Sequence, residues 1–323
     1  VNYGHREAAA LLSRARSEIR RVIVGQDRMV DRILVSLLAG GHCLLEGVPG
    51  LGKTKTLSTL ARVMGGSFSR IQFTPDLLPS DIVGTRIYRA SAEKFDVEPG
   101  PILANFVLAD EINRAPAKVQ AALLEVMAEH QVTIGDRTFP APEPFLVMAT
   151  QNPIESEGVY PLPEAQRDRF LMRVPVDYPD RREEREIITK MDVTPADADP
   201  VLDAQMVVDL QRAASTVEVP EPVVDYALRL VEATRRPGEH ALPQLDGLLS
   251  FGASPRASIA LVRAGRGMAL LRGRDRVTAQ EVYDVAYDVL NHRLILSYEA
   301  LADGVTVDDV LVELLTSVPA PPV

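Results

Sequence analysis

The stretch Gly47-Val48-Pro49-Gly50-Leu51-Gly52-Lys53-Thr54 sets glycines, a lysine and a hydroxyl at the spacing Gly-x-x-x-x-Gly-Lys-Thr. This combination of residue types suits a polyphosphate. Glycines let backbone N–H groups converge on phosphate oxygens without Cβ interference, a lysine ammonium adds a point charge for the β- and γ-phosphates, and a threonine hydroxyl can bind Mg2+. The apolar segment His42 to Leu45 reads as a strand leading into the loop. Lys53 to Val63 reads as a helix leaving it, its positive end facing the same anion. A glycine-rich turn without a ligand is the plainer alternative, and the flanking strand and helix weigh against it.

Further along, the apolar strand Asn105 to Ala109 delivers Asp110 and Glu111 to its C-terminal end. Ligands of open α/β sheets bind at that edge. Asp110 is suited to hold Mg2+ through its water shell, since Mg2+ keeps several waters beside one or two carboxylates. Glu111 is suited to orient and polarise an attacking water. Acidic residues at strand ends also cap helices, so the pair gains its weight from the phosphate loop. The histidines, His5, His42, His130, His240 and His292, show no metal-ligand spacing.

The elements that must position these residues alternate. Helical periods span Arg6 to Arg21 and Asp27 to Leu38. Strands are expected at Phe68 to Phe73 and Phe145 to Thr150, and a helix from Pro116 to Glu129 buries Val119, Ala122, Leu123, Val126 and Met127 on one face. Strand and helix in turn argue for a parallel α/β sheet. Thr74 to Pro101 is too long for a plain connector and reads as an insertion with short elements at Gly84 to Tyr88 and Lys94 to Val97. Gln131 to Ile134 and Arg137 to Phe139 form a hairpin about Gly135-Asp136. From Tyr178 strand signals vanish, Pro195 and Pro200 mark a break, and helical periods dominate. The boundary falls near Pro179 to Arg181, dividing the chain into 1–179 and 180–323. Thr278-Ala279-Gln280-Glu281 is a capping box opening a late helix, and the proline-rich tail Val318 to Val323 is expected to fray.

The chain has 323 residues, 46% of them hydrophobic and 25% charged, enough for two domains that each bury a core. Its 35 basic and 45 acidic residues leave a net charge of −10, which argues against broad attraction to nucleic acid or an anionic membrane. The single cysteine, Cys43, excludes an intrachain disulfide and fits a reducing compartment and a core strand. The longest uncharged run, Ile33 to Leu45, is too short to cross a bilayer, and Arg6 to Val22 is too charged for a signal peptide. A cytoplasmic location is expected.

Several segments carry a resemblance to a family. Gly47 to Thr54, Glu98-Pro99-Gly100-Pro101, Ala109-Asp110-Glu111-Ile112-Asn113-Arg114-Ala115, Ala149-Thr150-Gln151-Asn152-Pro153 and Leu162-Pro163-Glu164-Ala165-Gln166-Arg167-Asp168-Arg169-Phe170 resemble, in order, the motif set of MoxR-type AAA+ ATPases. The resemblance implies an AAA+ P-loop core, with a parallel sheet flanked by helices, followed by an all-α lid. It implies ATP and Mg2+ as ligands. Asn152 matches the sensor 1 position, where an amide can bond the γ-phosphate and the lytic water; a turn asparagine before Pro153 is the alternative. Arg169 matches the arginine finger that completes a neighbour's site, and a solvated surface arginine is the alternative.

Arg167 stands where the family usually has an aliphatic residue, so two guanidinium candidates lie two positions apart; the Asp168-Arg169-Phe170 context favours Arg169. Arg256 matches sensor 2. Ser254 as N-cap and Pro255 at the first helical position would set Arg256 at a helix start, where its charge opposes the helix dipole and wants an anion. Val24-Gly25-Gln26 resembles the adenine-contacting segment, a helix-start turn being the alternative. Gln72 resembles a polar residue that links Glu111 to ligand occupancy.

Thr74 to Pro101 is similar to the helix-2 insert and Gln131 to Phe139 to the pre-sensor hairpin, both candidate client contacts, although long surface loops are also tolerated without a role. The resemblance further implies a homo-oligomer, a hexameric ring, that remodels client complexes as a chaperone, with von Willebrand factor A domain partners and a role in metal or cofactor insertion. A nucleic-acid motor is the alternative substrate class, disfavoured by the charge balance and by a hairpin tip, Ile134-Gly135-Asp136-Arg137, with one basic residue beside an acid. An ATP-dependent binding switch with little turnover is the other alternative, against which Glu111 and Arg169 both stand.

Overall fold

Helix α1 (His5–Val22) turns Ala8, Leu12, Ala15 and Ile19 inward as one stripe, and α2 (Asp27–Leu38) leads into strand β1 (Cys43–Glu46). This computed structural model describes residues 3–48, 50–90, 93–152, 158–191 and 197–322. Pro49 of the glycine-rich loop, Pro153 after Asn152, Pro195 and the terminal Val323 lie outside the described residues. After β1 come α3 (Lys53–Val63), β2 (Phe68–Gln72), α4 (Pro79–Val83), the pair β3 (Gly84–Arg89) and β4 (Lys94–Pro99), β5 (Phe106–Asp110) and α5 (Ala117–Glu129). Then follow the pair β6 (Gln131–Ile134) and β7 (Arg137–Pro140), β8 (Leu146–Gln151), α6 (Glu164–Arg167) and β9 (Met172–Pro175).

Five strands form one parallel sheet in the order β2-β5-β8-β1-β9. The chain leaves β1 toward the β2 edge and leaves β8 toward β9 on the other side. The ends of β1 and β8 therefore flank the crevice where connections part, the place where such sheets bind ligands. Alternate residues of the central strands feed opposite layers. Leu44, Val107, Val147 and Ala149 pack with Val119, Leu123 and Val126 of α5. Cys43, Leu45, Phe106, Leu108 and Met148 pack with α1 to α3 and with apolar residues of the second half. Both faces are covered, which is why these strands read as continuous apolar runs.

The second half comprises α7 (Arg181–Met191), α8 (Ala204–Ser215), α9 (Glu221–Arg235), β10 (Leu249–Phe251), α10 (Pro255–Leu271), α11 (Ala279–Leu290), β11 (Ile295–Leu296), α12 (Tyr298–Ala302) and α13 (Val307–Ser317). The capping box at α11 forms in full, with Thr278 N–H donating to Glu281 Oε2 at 2.9 Å. Three short strands depart from the sequence reading. Strand β9 at the sheet edge was not foreseen, because four residues ending in Pro175 give no usable period. The second half is also not wholly helical: β10 and β11 pair antiparallel, and strands of three and two residues leave no alternation to read. No helix among the described residues is long and apolar enough to cross a membrane.

Each insert carries a hairpin, the first preceded by the short helix α4. In β3–β4, the Tyr88 and Phe95 rings meet at a tilt with centroids 5.2 Å apart, and the Arg86 guanidinium lies 4.8 Å over the Phe95 ring. The Arg86 side chain also packs against the Gly135 turn of β6–β7, so the two hairpins touch.

His42, just before β1, is fully buried. Its Nδ1 accepts from Val147 N–H at 3.0 Å, which leaves Nε2–H to donate to the Met127 carbonyl at 3.2 Å and selects the neutral ring. Burial pushes its pKa down to about 4, and burial likewise holds His292 well below the ordinary histidine value. The unfolded chain takes up these protons near pH 6.5, whereas the folded protein refuses His42's until about pH 4. The unfolded state thus binds more protons within that window, and stability falls as pH drops through it. Urea unfolding between pH 7 and 4 should show this decline, with a shallower slope in His42→Gln, whose amide can make both hydrogen bonds without titrating. Equal slopes would mean that His42 is not held neutral.

Candidate active site

Gly47 N–H donates to the Gln151 carbonyl at 3.3 Å, tying the start of the phosphate-type loop to the end of β8. Gly50 and Gly52 have φ of +87° and +74°, and a Cβ at either would meet nothing within 4 Å. The backbone there is left-handed, the conformation that glycine adopts without cost, and it faces open space. Helix α3 starts at Lys53 with no side chain capping its first turn, so its N–H groups are available to an anion. Lys53 Nζ donates to the Gly47 carbonyl at 2.5 Å. Burial lowers the Lys53 pKa, against the opposing fields of Asp110, Glu111 and Glu46. Thr54 follows in the same turn. A bare-amide cradle with one ammonium fits a polyphosphate.

Strand β5 lies between β2 and β8, so three strand ends converge. The register pairs Gln72 with Asp110 and Ala109 with Ala149. Thr150 Oγ1 donates to Asp110 Oδ1 at 2.6 Å and accepts from Glu111 N–H at 2.8 Å, fastening both acids to β8. Arg70 donates to Asp110 Oδ2 through Nε at 3.1 Å and Nη2 at 2.7 Å. Gln72 Nε2 donates to Glu111 Oε2 at 2.9 Å, and Arg114 Nε lies 3.1 Å from the same oxygen. Glu111 has φ of +56°, an uncommon conformation for a non-glycine residue, which swings its carboxylate off the strand axis toward Gln72. Asn152 is buried one residue beyond β8, beside the start of the glycine-rich loop. The oxygen donors Asp110 and Thr54 have the chemistry Mg2+ requires, and a guanidinium already rests on Asp110 as a stand-in cation.

The remaining sequence candidates lie farther out. Gly25 and Gln26 are both left-handed, at φ +66° and +59°. Gln26 Nε2 donates to the Asp177 carbonyl at 3.2 Å, and the adjoining Val176 packs against Gly47, so this segment reaches the loop through the chain after β9. Arg167 and Arg169 point differently. Arg167 is half-buried, 3.7 Å from Glu164, and feels Glu46 and Arg173 of its own chain. Arg169 is exposed, with Nη1 donating to the Leu124 carbonyl at 2.8 Å. Ser254 caps α10, accepting from Arg256 N–H at 3.2 Å, with Pro255 first in the helix. The exposed Arg256 guanidinium lies 3.6 Å from Asp168, which supplies the anion its position wants.

Asp168 is a junction that sequence reasoning missed. It also accepts from Ser254 Oγ at 3.0 Å and from Arg293 Nε at 2.8 Å. Arg293 is 8% exposed and donates further to the carbonyls of Phe170 at 2.7 Å and Leu171 at 3.2 Å. Asn291 Nδ2 reaches the Arg173 carbonyl at 2.9 Å and His292 bonds the Phe170 carbonyl at 3.1 Å. Three polar residues after α11 thus clamp the segment that carries Arg169. Asn291-His292-Arg293 after an apolar helix was the visible signal, but partners over 100 positions away leave no trace in spacing. Arg70 could have been found, since it stands two residues before Gln72 on the same strand face.

A parallel sheet of this order, with a phosphate-type loop after its β1 strand, an Asp-Glu pair at a neighbouring strand end and a mainly helical second half, defines an AAA+ ATPase. Comparison with known proteins agrees. Residues 42–172 match the ATPase family associated with various cellular activities (AAA), and residues 246–314 match the AAA lid domain. The chain is 58% identical to Chaperone MoxR1 of Mycobacterium tuberculosis over 312 residues, covering 97% of this chain and 83% of that protein. It is 36% identical to Protein MoxR of Methylorubrum extorquens over 98% of this chain and 96% of that one. A crystal structure of a candidate ATPase from Cytophaga hutchinsonii superposes with a TM-score of 0.92 at 45% identity, covering 98% of this chain and 96% of that one. The chain belongs to the MoxR-type AAA+ ATPases.

The two arginines on Asp168 should differ sharply in weight. Arg293→Met leaves a partly buried carboxylate without its main partner and should lower the unfolding free energy by about 3–5 kcal/mol. Arg256→Met, at an exposed and longer-range pair, should cost under about 1 kcal/mol. Urea denaturation of the two variants measures both, and equal losses would contradict the clamp.

Proposed function

We propose that this chain hydrolyses Mg·ATP in a ring of its own copies, six to the ring, and uses the cycle to remodel client protein complexes. The observation that supports this most is the meeting of an open glycine cradle with Asp110, Glu111 and Asn152 at three adjacent strand ends. The loop amides and Lys53 bind the β- and γ-phosphates, while Gly25 and Gln26 flank the base. Thr54 and Asp110 would hold Mg2+, which neutralises phosphate charge. Glu111 accepts a proton from water at its carboxylate once it is free of Gln72, and the Asn152 amide orients that water.

Arg169, exposed and held to the Leu124 carbonyl, reaches a neighbour's phosphates, and Arg256 follows its own nucleotide from the second half. On this reading residues 1–179 form the nucleotide-binding core and 180–323 the lid, joined mechanically through Asp168. The touching hairpins β3–β4 and β6–β7 are the parts offered to a client. Chaperone MoxR1 carries chaperone activity in its name, and we extend that activity to this chain. A von Willebrand factor A domain protein and a client awaiting a metal or cofactor complete the proposal. The net charge of −10 supports a protein client over nucleic acid.

Glu111→Gln should keep fluorescent-nucleotide binding and lose about 10²–10⁴-fold in hydrolysis, the scale of a general base. Arg169→Ala should lose about 10³-fold or more while its own nucleotide affinity stays, because the missing charge belongs to the neighbour's transition state. Phosphate release measured across protein concentration checks the ring. A rate per chain that is independent of concentration and indifferent to Arg169→Ala would remove the need for a neighbour.

A further inference from the structure

The proline-rich tail after α13 lies along a groove that the mechanism above does not use. Pro220, Pro222 and Tyr226 at the start of α9 line one side, and Tyr283 in the first turns of α11 lines another. Ala320, Pro321 and Pro322 add a third wall, and a cavity of about 470 Å³ stays open among them. That is the size of a ligand cleft. Tyrosine faces set beside proline rings make the kind of surface that takes polyproline segments, whose backbone is already ordered before it binds.

The chain's own tail shows which chemistry fits. Val318 is extended, at φ −73° and ψ 116°. Prolines at 319, 321 and 322 fix φ at about −65° and keep the residues before them extended. Such a backbone offers carbonyls and few N–H groups, so a surface that reads it must donate. Arg229 Nη2 donates to the Pro319 carbonyl at 3.1 Å, and Arg229 Nε is buried with no partner among the described residues.

The tail is lightly seated. Val318 is buried and its N–H donates to the Leu314 carbonyl at 3.0 Å, but Pro319, Ala320 and Pro322 are exposed and Pro321 is half-buried. The segment from Pro319 onward can peel away while Val318 keeps its place in the core. Its departure would join the strip it occupies to the cavity beside it.

We propose that the groove between the starts of α9 and α11 is a docking site for a proline-rich segment of a partner protein, bound as a polyproline II helix, and that Pro319 to Pro322 is its built-in competitor. A partner segment displaces the tail from Arg229 and fills the open cavity as well, so it makes contacts that the tail does not. No residue of the groove belongs to the loop, the acids or the arginines assigned to hydrolysis, so docking stands apart from the Mg·ATP reading.

Anisotropy of a fluorescein-labelled proline decamer titrated with the full chain measures docking, and a glycine-serine decamer is the blank. Pro321→Gly combined with Pro322→Gly keeps the chain length and removes the rings that seat the tail. Decamer affinity should then rise about five- to tenfold, the gain when a site mostly filled by a tethered competitor becomes vacant. In that double variant, Tyr283→Ala or Arg229→Met should weaken decamer binding about tenfold, the scale of an aromatic or arginine anchor. Tyr283 is 42% exposed, so its loss leaves the fold intact, which an unchanged urea midpoint checks. Decamer binding no tighter than the blank in the double variant, or equal affinity with and without the two glycines, overturns the proposal. So does a wild-type oligomer that the decamer dissolves and the two glycines abolish, because the occupant would then be the tail of a second copy.

Discussion

The parallel register of β5, β8 and β1 is the constraint on which the site depends. Each central strand is buried on both faces, so a slip of one residue would exchange the two apolar layers and move every strand end. Because the glycine loop follows β1, the Asp-Glu pair ends β5 and Asn152 follows β8, that one register brings the loop, both acids and the asparagine amide to a common edge. His42 adds to it from beneath, joining the end of α5 to β8 through a neutral ring just before β1 begins.

A second dependence runs between the halves of the chain. The apolar layer on one side of the sheet is continuous with residues from α8 to α13, so the halves share a core. At its rim the joint becomes polar, with Arg293 and Asn291 reaching the chain from Asp168 to Arg173 and Asp168 answering Arg256 and Ser254. Buried polar joints of this kind specify one arrangement because alternatives leave charges unpaired. Here the arrangement carries Arg169 at its middle, so the packing of the second half fixes the segment that holds this residue.

The acidic side of the site is tightly occupied by its own donors. Thr150, Arg70, Gln72 and Arg114 leave neither carboxylate idle, and Glu111 is bent into a left-handed conformation to meet them. Such a site is held in place by donors of its own chain.

Much of this could be read from residues in order. The glycine loop, the Asp-Glu pair, the Ser254-Pro255-Arg256 helix start and the Thr278 capping box are local patterns. Each follows from the neighbours that a backbone can reach within a few positions, so sequence determined them. The family resemblance followed from the same strings, and the alternating apolar runs dictated a parallel sheet. Strand β9 and the β10–β11 pair escaped because they are short and, unlike β1, β6 and β7, have no glycine loop or hairpin turn beside them to mark them. What only the tertiary structure decided are the contacts that register and domain packing create: Thr150 between the two acids, Arg70 on Asp110, the inward turn of Arg167 against the outward Arg169, and Arg293 on Asp168 across 125 positions. A hydrogen bond reaches about 3 Å whatever the sequence separation, and only folding determines which distant groups come that close.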